Sequence, residues 1–330
     1  MIKRLGFFGV FLCLVSVGSS ADSDTYSNNN AASVFINEMI EEHQFSREEL
    51  DAWFASATKK QSIIDAISRP AEKTHTWESY RKIFIKPVRI NKGVAFWRQN
   101  QSILERAEKE FGVPAEIIVA IIGVETLYGE RKGSFRVIDA LSTLAFDYPP
   151  RSKFFRKELK EFLLLAREQK QNPLDLTGSY AGAMGYGQFI PSSYRAYAID
   201  YDKDEFADIW NNAEDAVGSV ANYFKRHGWK TGGTVAVRSR IDKNYDKSLI
   251  NKSLRPSATI GELRTKGFIP VTAIDEAASA TAMQLEGAWG TEYWIGLHNF
   301  YVITRYNHSR LYAMAVWQLS QEIAKANSES

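Results

Sequence analysis

The sequence predicts a mainly α-helical chain, α+β in class, that carries a small β-containing region. Two observations lead there. Apolar residues recur at helical spacing, with capping residues at their ends, over most of residues 32–232 and again over 311–324. Between these stretches, beyond Gly232-Gly233, short β-branched and aromatic runs replace that period. The chain has 330 residues, 45% of them hydrophobic, enough for one large or two modest domains.

The elements follow in order. Residues 22–32 are rich in Ser, Asn and Asp and read as a mobile linker. Helical patterning starts near Ala32. Ser46-Arg47-Glu48-Glu49 reads as a capping box ahead of Leu50, Trp53 and Phe54. A helix over about 59–68 stops before Pro70, and Trp77, Tyr80, Ile83 and Phe84 pattern another over 76–86. One helix is expected over 91–111, capped by Gly112. Pro114 suits the first turn of the next, and Gly129 fits just past its end. Further helices are expected near 152–170, 191–198 and 213–227. Thr234 to Val237, Gly267 to Val271, Ala282 to Leu285 and Tyr301 to Thr304 read as strands. Leu311 to Ala324 is helical again, and no internal repeat is visible.

Residues 1–21 stand apart. Lys3 and Arg4 precede a short apolar run, Leu5 to Val17, which small residues follow. This is the layout of a secretory signal peptide, too short for a membrane span. Its removal takes two basic residues from 41 and none of the 39 acidic ones, leaving a formally neutral chain. That balance lacks the basic footprint of a nucleic-acid binder. The one cysteine, Cys13, lies inside the signal. Leu12 precedes it where a lipid-modified cysteine usually follows a small residue, which argues against a lipid anchor. The mature chain then has no disulfide or thiol chemistry.

Glu125 closes an almost wholly apolar run, Glu116-Ile117-Ile118-Val119-Ala120-Ile121-Ile122-Gly123-Val124-Glu125. A carboxylate at the end of a buried helix is costly unless it is neutral, paired or used. Desolvation favours its protonated form, which suits a general acid. The plainer alternative is a helix-terminal Glu pointing to water. Residues 178–191 hold four glycines in ten residues, with Tyr180, Tyr186 and Gln188. They match neither a phosphate loop nor a dinucleotide fingerprint. The segment is either a tight structural turn or a constrained loop offering rings and an amide to sugars.

In Tyr306-Asn307-His308-Ser309-Arg310-Leu311-Tyr312, Ser309 or Asn307 can cap the last helix. His308 invites a base reading, but no serine elbow accompanies it. Asp200, Asp202, Asp204 and Asp208, with the Phe206 carbonyl, follow EF-hand spacing. Glu205 replaces the usual glycine, Asn211 replaces the closing Glu, and Asp215 can close a longer loop. A solvated acidic turn is the competing reading. The five histidines show no metal-ligand spacing.

Together these motifs resemble the lytic murein transglycosylase B family over about residues 32–325. The matching blocks are Gly93 to Trp97, Ile122 to Thr126, Phe146 to Pro149, 179–191, Gly218 to Phe224, Ile303 to Ser309 and Tyr312 to Trp317. The resemblance implies a lysozyme-like catalytic core over 91–232. Around it lie a helical region over 33–90, a strand-containing region over 233–305 and a C-terminal helix over 306–330. It implies a single catalytic glutamate at Glu125 and cleft residues at Tyr80, Arg151, Ser179, Gln188, Tyr223, Tyr306, Asn307 and Tyr312. Family members often carry two arginines where this chain has Pro150-Arg151, so one cleft contact is absent. A calcium loop is implied at 200–215.

The expected activity is cleavage between N-acetylmuramic acid and N-acetylglucosamine in peptidoglycan, leaving 1,6-anhydromuramoyl ends. No cofactor is required; a structural calcium is the one candidate. The expected chain is a periplasmic monomer acting on glycan strands, with cell-wall synthesis or hydrolysis enzymes as candidate partners. A hydrolytic muramidase and a non-catalytic murein-binding protein are the alternatives. The first needs a second carboxylate; Glu130, Asp139 and Asp147 are the next three after Glu125 in sequence, and each reads as structural or exposed.

Overall fold

The computed structural model describes residues 25–68 and 75–329, so the expected signal segment lies outside the described residues. The chain begins with α1 (Asn30–His43), α2 (Arg47–Ser56) and α3 (Gln61–Ile67). Asn29 caps α1 by accepting from the amides of Ala31 and Ala32, and Ser46 caps α2 through Glu49. The expected mobile linker over 22–32 is corrected from Thr25 onward. Tyr26 is buried, and its hydroxyl donates to Asp147 at 2.7 Å. One aromatic anchor outweighs the polar composition around it.

Next come α4 (Trp77–Phe84), α5 (Pro87–Gln99), α6 (Gln101–Phe111) and α7 (Ala115–Thr126). The single helix expected over 91–111 is two helices. They break at Asn100, whose amide group donates to the Phe96 carbonyl at 2.8 Å. Gly112 ends α6 with φ 71°, as expected. Ten of the twelve residues of α7 are buried. Its C-terminus turns through two left-handed residues, Leu127 and Tyr128, before reaching Gly129.

Strand β1 (Phe135–Arg136) leads into α8 (Val137–Phe146) and α9 (Ser152–Glu168). Helix α8 was not anticipated. Nine of its ten residues are buried, including the polar Asp139, Ser142 and Thr143 at i, i+3 and i+4; Asp139 and Thr143 accept from the Thr58 and Lys60 amides. Strand β2 (Thr177–Gly178) pairs with β1, and α10 (Pro191–Tyr197) and α11 (Ala213–Arg226) follow.

The β region holds β3 (Ala236–Ile241), β4 (Ala258–Thr259), α12 (Ile260–Thr265), β5 (Phe268–Pro270), β6 (Ser279–Gly287) and β7 (Gly290–Gly296). Its antiparallel sheet has the order β4-β6-β7-β3-β5. The strand expected at 301–304 is instead the middle of α13 (His298–Tyr306). Phe300, Val302, Ile303 and Thr304 are buried there, and core packing overrides their β propensity. Finally α14 (Arg310–Ser328) packs along α7 and α5. The main apolar core gathers α4, α5, α6, α11, α13 and α14 around α7.

Candidate active site

Helix α7 carries Glu125 out of the core at its last turn, where the residue is half-buried. Helix α14 crosses there. The hydroxyl of Tyr312 donates to Oε1 of Glu125 at 2.5 Å. Burial, followed by the nearby charge of Glu125, pushes the Tyr312 phenol well above its usual range. Tyr312 is therefore a neutral donor near neutral pH. Tyr306, at the end of α13, is shifted the same way by burial and then by Glu125. Its hydroxyl donates to the Gly187 carbonyl at 2.6 Å. A Cβ on Gly187 would lie 2.7 Å from that oxygen, so glycine permits the approach.

The connection between α13 and α14 is what aims both tyrosines. Asn307 is extended, with φ −142°, and its carbonyl accepts from the Ser309 amide at 2.7 Å. Ser309 then caps α14 by accepting from the Tyr312 amide, as the sequence suggested. Tyr223, on α11, stands behind Tyr306 with ring centroids 4.7 Å apart and donates to the Arg305 carbonyl at 2.6 Å. Its other face stacks on His227 at 4.0 Å. Tyr80 is buried on α4 and contributes to the shift of Tyr312. The structure thus brings Glu125, Tyr80, Tyr223, Tyr306, Asn307 and Tyr312 into one neighbourhood.

The other expected cleft residues serve differently here. Ser179 accepts from the amides of Ala181 and Ala183, and Gln188, at φ 51°, donates to the Lys132 and Gly185 carbonyls. Ser179 braces the glycine loop from within, and Gln188 also ties it to the segment before β1. Arg151 is exposed, with its guanidinium 4.4 Å from the centre of the Phe154 ring, outside the tyrosine cluster. His308 is exposed, with its ring 3.4 Å from the Arg305 guanidinium.

Sequence reasoning missed Thr126. Its hydroxyl donates to the Tyr186 carbonyl at 2.9 Å and accepts from the Gly129 amide at 3.0 Å, pinning the glycine loop to the end of α7. Its place directly after Glu125, in a matching block, was the available signal. Three carboxylates near Glu125 in sequence are already engaged. Asp139 binds Arg136 and the Thr58 amide, Asp147 binds Tyr26 and Lys59, and Glu130 pairs with Lys92.

In the acidic loop, Asp200, Asp202, Asp204 and Asp215 each offer an oxygen, all within 4.8 Å of one another. Asp215 is fully buried, and burial pushes its carboxyl up to about 6. Asp208 lies outside that cluster. Asp208 accepts from the Trp210 and Asn211 amides, and the Phe206 carbonyl accepts from the Asp208 amide. Glu205 takes the left-handed conformation, φ 76°, that glycine usually supplies in such a loop.

Residues 27–321 match the family described as "Transglycosylase SLT domain". Membrane-bound lytic murein transglycosylase B of Escherichia coli (strain K12) is 43% identical over 310 residues, 91% of this chain and 84% of its own length. Catenated lytic transglycosylase SltB1 from Pseudomonas aeruginosa superposes with a TM-score of 0.88 at 55% identity, covering 92% of this chain and 99% of that one. The E. coli lytic transglycosylase Slt35 in complex with calcium superposes with a TM-score of 0.83 at 43% identity, covering 91% and 95%. A helical body of lysozyme-like type, the tyrosine-bound glutamate and these likenesses agree: the chain belongs to the lytic transglycosylases of the SLT family, enzymes that cleave peptidoglycan.

Proposed function

We propose that Glu125 is the lone acid and base of a transglycosylation that leaves 1,6-anhydromuramoyl ends. The observation that carries this reading is the bond from Tyr312 to Glu125 at the mouth of α7. Protonated Glu125 donates to the glycosidic oxygen between N-acetylmuramic acid and N-acetylglucosamine. The bond from C1 to that oxygen breaks, and the departing sugar keeps the proton as its 4-hydroxyl. The acetamido group of the N-acetylmuramic acid residue stabilises the positive charge at its C1. The carboxylate of Glu125 then takes the proton of the C6 hydroxyl as that oxygen attacks C1. Glu125 ends protonated, and no water or cofactor is consumed. Tyr312, a donor that stays neutral, holds one carboxylate oxygen through both steps. Hydrolysis would call for a second carboxylate, and the engagement of Asp139, Asp147 and Glu130 supports the one-carboxylate route.

The test is mass spectrometry of fragments released from purified murein by the mature chain and by Glu125→Gln. Anhydro ends that the variant does not produce are expected. Fragments heavier by one water would mean a muramidase, and binding without release would mean a non-catalytic wall protein.

Asp200, Asp202, Asp204 and Asp215 fit a structural calcium. Calcium holds oxygens at about 2.3–2.6 Å, so opposite ligands lie about 5 Å apart, consistent with the 4.8 Å cluster. A buried carboxylate such as Asp215 gains most from a cation. The signal-like segment 1–21 supports a periplasmic site of action. No helix among the described residues is long and apolar enough to cross a membrane.

A further inference from the structure

Trp289 sits in the two-residue turn between β6 and β7 with 100% of its side-chain surface exposed. Other exposed large hydrophobics among the described residues reach 61% at most. Such turns favour Asn and Gly, so the hairpin does not require a tryptophan. An exposed large ring is informative where an exposed Leu is not. Beside it lies a groove of about 290 Å³, whose polar walls include Arg81, Lys82, Arg238, Glu292 and Gln318.

The groove is well braced. Buried Trp294 donates to Glu292 at 3.0 Å, meets Trp317 edge-on at 5.4 Å and lies under Arg238 at 4.4 Å. It also shares walls with the candidate active site. Helix α4 carries Tyr80 on the site side and Arg81 in the groove. Helix α14 carries Tyr312 at the site and Gln318 six residues on, about 9 Å along the axis.

We propose that this groove is a second, non-catalytic binding surface for the glycan strand, with a sugar face stacked on Trp289. It rests on the reading that the chain cleaves peptidoglycan. An aromatic face is electron-rich and suits the C–H face of a pyranose, while planar amide and guanidinium groups suit hydroxyl and acetamido groups. The charges favour a neutral ligand. Arg81, Lys82 and Arg238 pair with Glu322, Glu78 and Glu292 respectively. That leaves little net charge for an anionic peptide stem or lipid surface. A strand held here stays tethered while its neighbouring segment reaches Glu125.

The test compares wild type, Trp289→Ala and Trp289→Phe as full mature chains. Co-sedimentation with purified murein sacculi should weaken about three- to tenfold in Trp289→Ala, the size of one aromatic contact, and largely recover in Trp289→Phe. Soluble glycan strands stripped of their peptide stems, added as competitor, should displace wild type from the sacculi. Fragment release from a short soluble murein oligosaccharide should stay unchanged in both variants. Equal sedimentation of wild type and Trp289→Ala would overturn the proposal. So would failure of the stem-free strands to compete, or Trp289-dependent binding to anionic phospholipid vesicles. Failure of the catalytic reading is separate, because wild type would then release no fragments at all.

Discussion

Tyr312 donates its hydroxyl hydrogen to Oε1 of Glu125 at 2.5 Å, joining residues 187 positions apart in the chain. A phenol that burial keeps neutral has one hydrogen to give, and a carboxylate oxygen accepts it. This bond orients the reacting group before substrate arrives. In Tyr312→Phe the ring still packs but the donor is lost. A hydrogen bond to a charged group contributes about 1.5–3 kcal/mol, so kcat should fall roughly 10- to 100-fold with a smaller change in KM. The rate of fragment release from soluble murein fragments measures it; an unchanged kcat would remove Tyr312 from the mechanism.

His227 supplies a pH dependence. Burial lowers its pKa below 6.5, helped by the charge of Arg305 and opposed by its bond to the Tyr223 carbonyl. Its ring also faces Tyr197 and stacks on Tyr223. Below pH 6.5 the unfolded chain takes up a proton that the folded ring resists. The folded state therefore loses stability as pH falls from 6.5 through the lowered value. Urea unfolding of His227→Gln should show a shallower loss across that window than wild type. Parallel curves would mean that the ring is not the titrating group.

Gly123 is a packing prediction. It faces Tyr128, whose hydroxyl donates to the Arg89 carbonyl at 2.9 Å. A Cβ on Gly123 would lie 2.5 Å from that hydroxyl oxygen. Gly123→Ala should destabilise by about 1–3 kcal/mol, the range for overpacking a filled core, despite the better helix propensity of alanine. The urea midpoint reports it, and a gain in stability would show that Tyr128 yields easily.

For calcium, a ligand that binds only the folded chain raises stability by about 2.7 kcal/mol at a hundredfold excess over its Kd. Calcium added after chelator treatment should therefore raise the Tm of wild type, and Asp215→Asn should respond much less. Equal Tm values with chelator and with calcium would assign the loop a purely hydrogen-bonded role.

Much of the helical body was legible. Caps at Ser46 and Ser309, the glycine stop at Gly112 and the apolar run ending at Glu125 are local signals, and each depends on a few consecutive residues. Helix α8 was given no element because its polar residues, Asp139, Ser142 and Thr143, are spaced as on a helix but lie buried rather than on a solvated face, and the 301–304 segment was misread because burial outweighed its β propensity. Arg151 and Ser179 came forward through the resemblance and Gln188 also through its place on the glycine loop; the contacts each makes reflect hydrogen-bond geometry that no spacing encodes.

The sequence by itself determined the helical class, the β insertion, the carboxylate at the end of an apolar helix and the family resemblance. Each is written in neighbouring residues or in blocks of fixed order. Only the tertiary structure decided that Tyr312 and Glu125 bond, that Tyr306 reaches Gly187, and that Asp215 rather than Asp208 joins the acidic cluster. Those contacts depend on how α7, α13, α14 and the glycine loop pack. Side-chain partners chosen across the core follow from shape and burial, and these are properties of the assembled fold.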